Sequence, residues 1–123
     1  MLQKTLFDVP IWIKEVDDFD YKKGKLEEEL SKFPEVRNET NTFLSNRDAQ
    51  RDGLSKSFGN IMSKELLELY ANLKEYKPQI KSALVTDVWS VVYEKCDYQA
   101  THNHRSTGLS GLLHLENPSD GPN

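Results

Sequence analysis

The chain has 123 residues, 37% of them hydrophobic and 29% charged, with a formal net charge of -4. That length supports one domain with one modest core. The acidic balance excludes the basic stripe of a nucleic-acid-binding surface, since the longest Lys/Arg run is Lys22-Lys23. No apolar run approaches the ~18 residues of a spanning helix, and MLQKTLFDVPIWIKE lacks the features of a signal peptide. A single cysteine, Cys96, forms neither an internal disulfide nor a cysteine-based zinc site. The reading is a cytoplasmic protein with no nucleic-acid or membrane partner.

In chain order, LFDVPIWIKEVD is rich in β-branched and aromatic residues and predicts one strand. Pro10 has no N–H to donate, so the segment reads as an edge strand or an extended start to the fold. In DYKKGKLEEELSKFPE, Leu26, Leu30 and Phe33 recur at helical spacing, Glu27, Glu28 and Glu29 form a solvated face, and Pro34 ends the helix. Residues 35–60 hold many turn formers and no sustained period, which predicts a long loop with one short strand. The next segment predicts a helix capped by Ser63, with Glu65 in its first turn. Leu66, Leu69, Tyr70, Leu73 and Tyr76 form its core stripe, and Pro78 stops it.

ALVTDVWSVVYEKCDYQ reads as a strand buried on both faces near its centre, with Trp89, Val91 and Tyr93 on one side and Val88 and Val92 on the other. Cys96 reads as a small buried residue, and Trp12 and Trp89 as core. GLSGLLHLE reads as a half-buried strand whose odd positions, Leu109 to Leu115, are apolar. The order of elements predicts α+β, with helices packed against an antiparallel sheet. The closing NPSDGPN is a cluster of turn formers with no strand after it. The expectation is an incomplete domain: residues 1–83 an N-terminal strand and helices, and 84–123 the first core strands. The exposed sheet edge would favour a homo-oligomer.

All three histidines lie late in the chain, at 102, 104 and 114. Residues two apart on a strand share a face about 6.6 Å apart. His102 and His104 could therefore converge on one metal ion, or the stretch could be only a polar bend between strands. His114 falls on the polar face of the next strand and reads as a surface or cleft histidine. Glu94 and Asp97 are the nearest carboxylates, but an extended strand puts them on opposite faces.

The stretch VVYEKCDYQATHNHRSTGLSGLLHLENP resembles the core motif of a family of 2-oxoglutarate/Fe(II)-dependent oxygenases of marine bacteria and phages, itself similar to the prolyl hydroxylases. The matching residues are Asp97-Tyr98, His102-Asn103-His104 and Leu109-Ser110-Gly111-Leu112-Leu113. The opening LFDVPIWIKEVD and the loop SNRDAQRDGLS at residues 45–55 carry looser likeness. The resemblance implies a truncated double-stranded β-helix, or jelly roll, that takes Fe(II) and 2-oxoglutarate and hydroxylates an unidentified substrate. His102 and His104 would be metal ligands, with Asn103 and Arg105 at the pocket mouth. There are departures. No tryptophan stands beside Ser55, Leu113 and His114 replace a tyrosine pair, and His104 occupies the usual carboxylate position. The distal histidine and the basic residue for 2-oxoglutarate have no counterpart, because no histidine follows His114 and no Lys or Arg follows Arg105. The chain alone is expected to be inactive. Two other readings use the same residues. One is a non-catalytic jelly-roll binding or structural module of phage or bacterial origin. The other is a cupin-like hydrolase or isomerase with zinc or manganese.

Overall fold

The computed structural model describes residues 1–6, 9–37, 43–47, 53–99, 102 and 108–116. Among them the architecture is α+β, with three helices and two small antiparallel sheets. No helix among the described residues is long and apolar enough to cross a membrane.

The N-terminal segment is a hairpin, not a single strand. β1 (Leu2–Leu6) pairs antiparallel with β2 (Val9–Ile13), in register Leu2↔Ile13 through Leu6↔Val9. One unbroken strand would alternate faces through residues 6–9; the reversal instead puts Leu2, Lys4, Val9, Ile11 and Ile13 on one face and Pro10 and Trp12 on the other. Trp12 is half-buried, and its ring meets Tyr76 edge-on with centroids 5.8 Å apart.

α1 (Phe19–Leu30) forms as the leucine spacing predicts, burying Leu26. Its cap residue Asp18 adopts a left-handed conformation, φ 52°, and contributes no side-chain cap bond. At the other end, Ser31 Oγ donates to the Glu28 carbonyl at 2.7 Å, and the backbone tightens through Phe33 N–H to Leu30 before Pro34. β3 (Val36–Arg37), β4 (Leu44–Ser45) and β5 (Val91–Val92) make the second sheet with β4 at its centre.

The predicted loop at 35–60 is corrected by a helix, α2 (Gly53–Ile61), that packs against α1 and buries Leu54. Backbone bonding runs on through Met62, whose N–H donates to Phe58 and whose carbonyl accepts from Leu66. α3 (Ser63–Tyr76) therefore continues almost directly from α2, and Ser63 is its first residue without a side-chain cap. The residue most withdrawn from water on α3 is Glu65; Leu66, Leu69, Tyr70 and Leu73 are half-buried, and Tyr76 is exposed. The buried apolar residues Leu26, Phe43, Leu54 and Met62 mark the core among the described residues.

The two late strands are also corrected. Of ALVTDVWSVVYEKCDYQ only Val91–Val92 pairs, and 109–116 lies outside helix and strand. Among the described residues the remainder has strand propensity but no neighbouring strand to pair with, and propensity alone does not make a sheet. The expected burial on both faces fails as well. Tyr93 is exposed, Trp89 is half-buried, and Cys96 is exposed in a left-handed conformation at φ 71°.

Candidate metal centre

The segment leading to His102 is fastened to the small sheet by three sets of contacts. β5 pairs with β4 in register Leu44↔Val92 and Ser45↔Val91. Just before it, Ser90 N–H donates to Asn46 Oδ1 at 2.8 Å; Asn46 is 1% exposed, while its Nδ2 has no partner. Just after it, the Tyr93 ring packs on buried Phe43 with centroids 5.5 Å apart.

The chain then turns at Glu94–Asp97. Asp97 N–H donates to the Glu94 carbonyl at 3.0 Å, and Glu94 N–H donates to Asp97 Oδ2 at 2.8 Å. Cys96 takes its left-handed conformation inside this turn. The turn overturns the expectation that Glu94 and Asp97 face opposite ways. Both carboxylates converge on Arg37, which donates to the two oxygens of Asp97 at 3.0 and 3.4 Å and reaches Glu94 at 3.2 Å. The hydrogen bond to Asp97 raises the Arg37 pKa, burial opposes it, and the charges of Asp97 and Glu94 add to the rise. Arg37 thus pairs with both carboxylates of the turn.

Beyond the turn, Tyr93 O–H donates to Gln99 Oε1 at 3.1 Å, and Gln99 Nε2 lies 3.3 Å from His102 Nε2. This chain of contacts bears on the imidazole tautomer. With the amide as placed, Gln99 donates and His102 Nε2 accepts, so Nδ1 carries the proton. With the amide reversed, Gln99 Oε1 accepts from Nε2–H, and a metal would meet Nδ1. The second arrangement is how an outer residue orients a ligating histidine.

His102 is exposed. His104, Asn103 and Arg105 lie outside the described residues. His114 is exposed on the 109–116 segment, as expected for a surface histidine. Among the described residues no group of three His, Cys, Asp or Glu side chains could hold a metal ion. Of the donors an Fe(II) site needs, the described residues supply one imidazole. The fit to such a site is partial.

Sequence reasoning missed Arg37, Tyr93, Gln99 and Asn46 as the residues that shape this region. Arg37 lies 60 positions from Asp97, and no local spacing could link them. Gln99, three residues before His102, was within reach of a local reading. Comparison with known protein families, curated proteins and solved structures found no match.

Proposed function

We propose that the chain is the ligand-bearing part of a 2-oxoglutarate/Fe(II)-dependent oxygenase built on a jelly roll, with His102 and His104 as metal ligands. The observation that carries the reading is His102-Asn103-His104 set between Asp97-Tyr98 and Leu109-Ser110-Gly111. Gln99 lies beside His102, and with its amide reversed it would accept from Nε2–H and leave Nδ1 for the metal, the role of an orienting partner. Bound Fe(II) with 2-oxoglutarate would supply the oxidising chemistry. This chain's residues would hold the ion and orient its first imidazole.

A second reading, a non-catalytic jelly-roll module, is favoured by the histidine at position 104 in place of a carboxylate. A neutral site compensates less of the charge of Fe(II). The two readings part on metal binding and succinate release. Under the first, Co(II) or Fe(II) raises the melting temperature of the full chain, and the double substitution His102→Ala/His104→Ala abolishes the rise. Fe(II)-dependent conversion of 2-oxoglutarate to succinate, in the chain extended by any natural downstream sequence, would then establish the activity. A melting curve that no divalent ion moves would overturn the metal reading and leave the binding module.

A further inference from the structure

We propose that the groove between α2 and residues 83–85 binds a small amphiphile, a carboxylate at the end of an aliphatic chain. The inference stands apart from the metal reading. The groove has a volume of about 440 Å³ and is lined by Ser55, Lys56, Gly59, Asn60, Ala83, Leu84 and Val85. The groove is shallow and open to solvent, so a ligand there would keep part of its surface in water.

Its two walls differ in chemistry. On α2, Ser55 precedes Gly59 by four residues and Lys56 precedes Asn60 by four, so these residues share one face of the helix. Gly59 lies between the polar groups and has no side chain. A Cβ built there meets nothing within 4 Å, so the glycine leaves a trough. The opposite wall, Ala83, Leu84 and Val85, is apolar, and Leu84 is 84% exposed.

All three polar groups on the α2 wall can donate. Among the described residues Lys56 has no carboxylate partner and Asn60 makes no side-chain hydrogen bond. The Ser55 hydroxyl is buried without a partner, and Ser55 lines the groove. Three donors, one of them a cation, favour an anionic oxygen acid over a neutral acceptor. One lysine neutralises a single charge, which favours a carboxylate over a phosphate dianion. The apolar wall takes the chain behind it.

The experiment is an amide-resolved NMR titration of the full chain with sodium octanoate, 1-octanol and octylammonium. Octanoate should move the signals of Lys56, Gly59, Asn60, Leu84 and Val85 saturably, with a Kd of about 1 mM for a ligand of this size. Octanol should bind up to about fivefold more weakly, the worth of one exposed ion pair. Lys56→Met should erase that difference. Gly59→Leu fills the trough and should abolish binding of both ligands with the melting temperature maintained. Leu84→Asp, at an exposed position, is the check that does not depend on α2. It should reverse the preference toward octylammonium. Absence of saturable shifts, or shifts that survive both Gly59→Leu and Leu84→Asp, overturns the site. Equal binding of octanoate and octanol overturns the carboxylate assignment.

Discussion

Lys22 Nζ on α1 lies 2.6 Å from Glu65 Oε1 on α3, with the two side chains only 11% and 10% exposed. This pair ties the helices where the sequence offered a leucine stripe. Withdrawal from water pushes the Glu65 carboxyl upward. The hydrogen bond from Lys22, backbone N–H contacts and the Lys22 charge outweigh that, and the pKa falls below 4.5. Breaking such a pair on one side leaves an uncompensated charge in a poorly hydrated place. Lys22→Met should therefore cost about 2–3 kcal/mol in urea unfolding, while Lys22→Met/Glu65→Leu should return to within about 1 kcal/mol of the parent. A double variant as unstable as the single one would refute the assignment of the cost to the stranded carboxylate.

The acid limb of stability follows from the same network and its neighbours. The N-terminal ammonium of Met1 and Lys14 both reach Glu68, Lys64 reaches Asp17, and Lys32 reaches Glu29. Hydrogen bonds from these cations lower the pKa values of Glu68, Asp17 and Glu29. A carboxyl whose folded pKa lies below its unfolded value stabilises the fold above the unfolded value and loses that contribution as pH falls through the folded one. Stability should thus be level above about pH 5 and decline below the unfolded values of 3.8 and 4.5. Added salt should weaken the exposed pairs but leave most of the Lys22–Glu65 contribution in place. Urea midpoints from pH 3 to 7 at two salt concentrations measure both effects.

Two glycines in helices should respond to alanine in opposite directions. Gly24 sits inside α1 with open space where a Cβ would stand, whereas a Cβ on Gly53 would lie 2.9 Å from the half-buried Phe33 ring. Gly24→Ala should stabilise the protein by roughly 0.5–1 kcal/mol, since glycine pays the larger backbone entropy in a helix. Gly53→Ala must displace Phe33 and should lower the melting temperature. Equal shifts for the two variants would mean that Phe33 does not pack on α2 as placed.

Local rules explain which parts of the fold were readable. The spacing of Leu26 and Leu30, with Pro34 after them, needs only one helix face and one stop, and α1 formed accordingly. α2 was hidden because Gly53, Ser55, Ser57, Gly59 and Asn60 dilute the period carried by Leu54, Phe58 and Ile61. Tertiary packing of Leu54 beneath α1 overrides those weak helix formers. The error at 84–98 runs the other way. Val85, Val88, Val91 and Val92 have strand propensity, but a ladder needs a partner, and only Val91–Val92 meets β4. Asp97 then closes a turn that propensity does not report, because its carboxylate is held by Arg37 from β3. At the candidate metal centre the histidines were legible as residue types. Gln99 beside His102 was within reach of a local reading, but the Arg37 contact that holds the preceding turn was not.

Asn46 is the hinge between the central strand and the segment that leads to His102. Asn46→Ala would leave Ser90 N–H without its acceptor and open a small void, costing about 2 kcal/mol. Asn46→Asp keeps the acceptor but places a charge at a position only 1% exposed, where burial favours the neutral acid. It should therefore be more destabilising at pH 7 than at pH 4, the reverse of the parent's own pH dependence. Urea unfolding at the two pH values decides it, and the same trend in parent and variant would show that the side chain is not buried as described.

The contacts from Tyr93 through Gln99 to His102 make a prediction that separates a metal ligand from a surface histidine. If Gln99 holds His102 in the tautomer that offers Nδ1, then Gln99→Leu should weaken Co(II) binding by roughly 10- to 100-fold, as loss of an orienting partner does elsewhere. Tyr93→Phe removes the hydroxyl that contacts the amide and should have a smaller effect in the same direction, because the amide can still reach the imidazole. Both positions are exposed, so the melting temperature of the metal-free chain should move little. Co(II) titration followed by its visible absorption, with the metal-free melting curve as control, reads the two separately. Co(II) affinity unchanged in Gln99→Leu but lost in His102→Ala would keep the metal site and remove Gln99 from it. Affinity unchanged in both would return His102 to the solvent-exposed bend that its spacing alone allows.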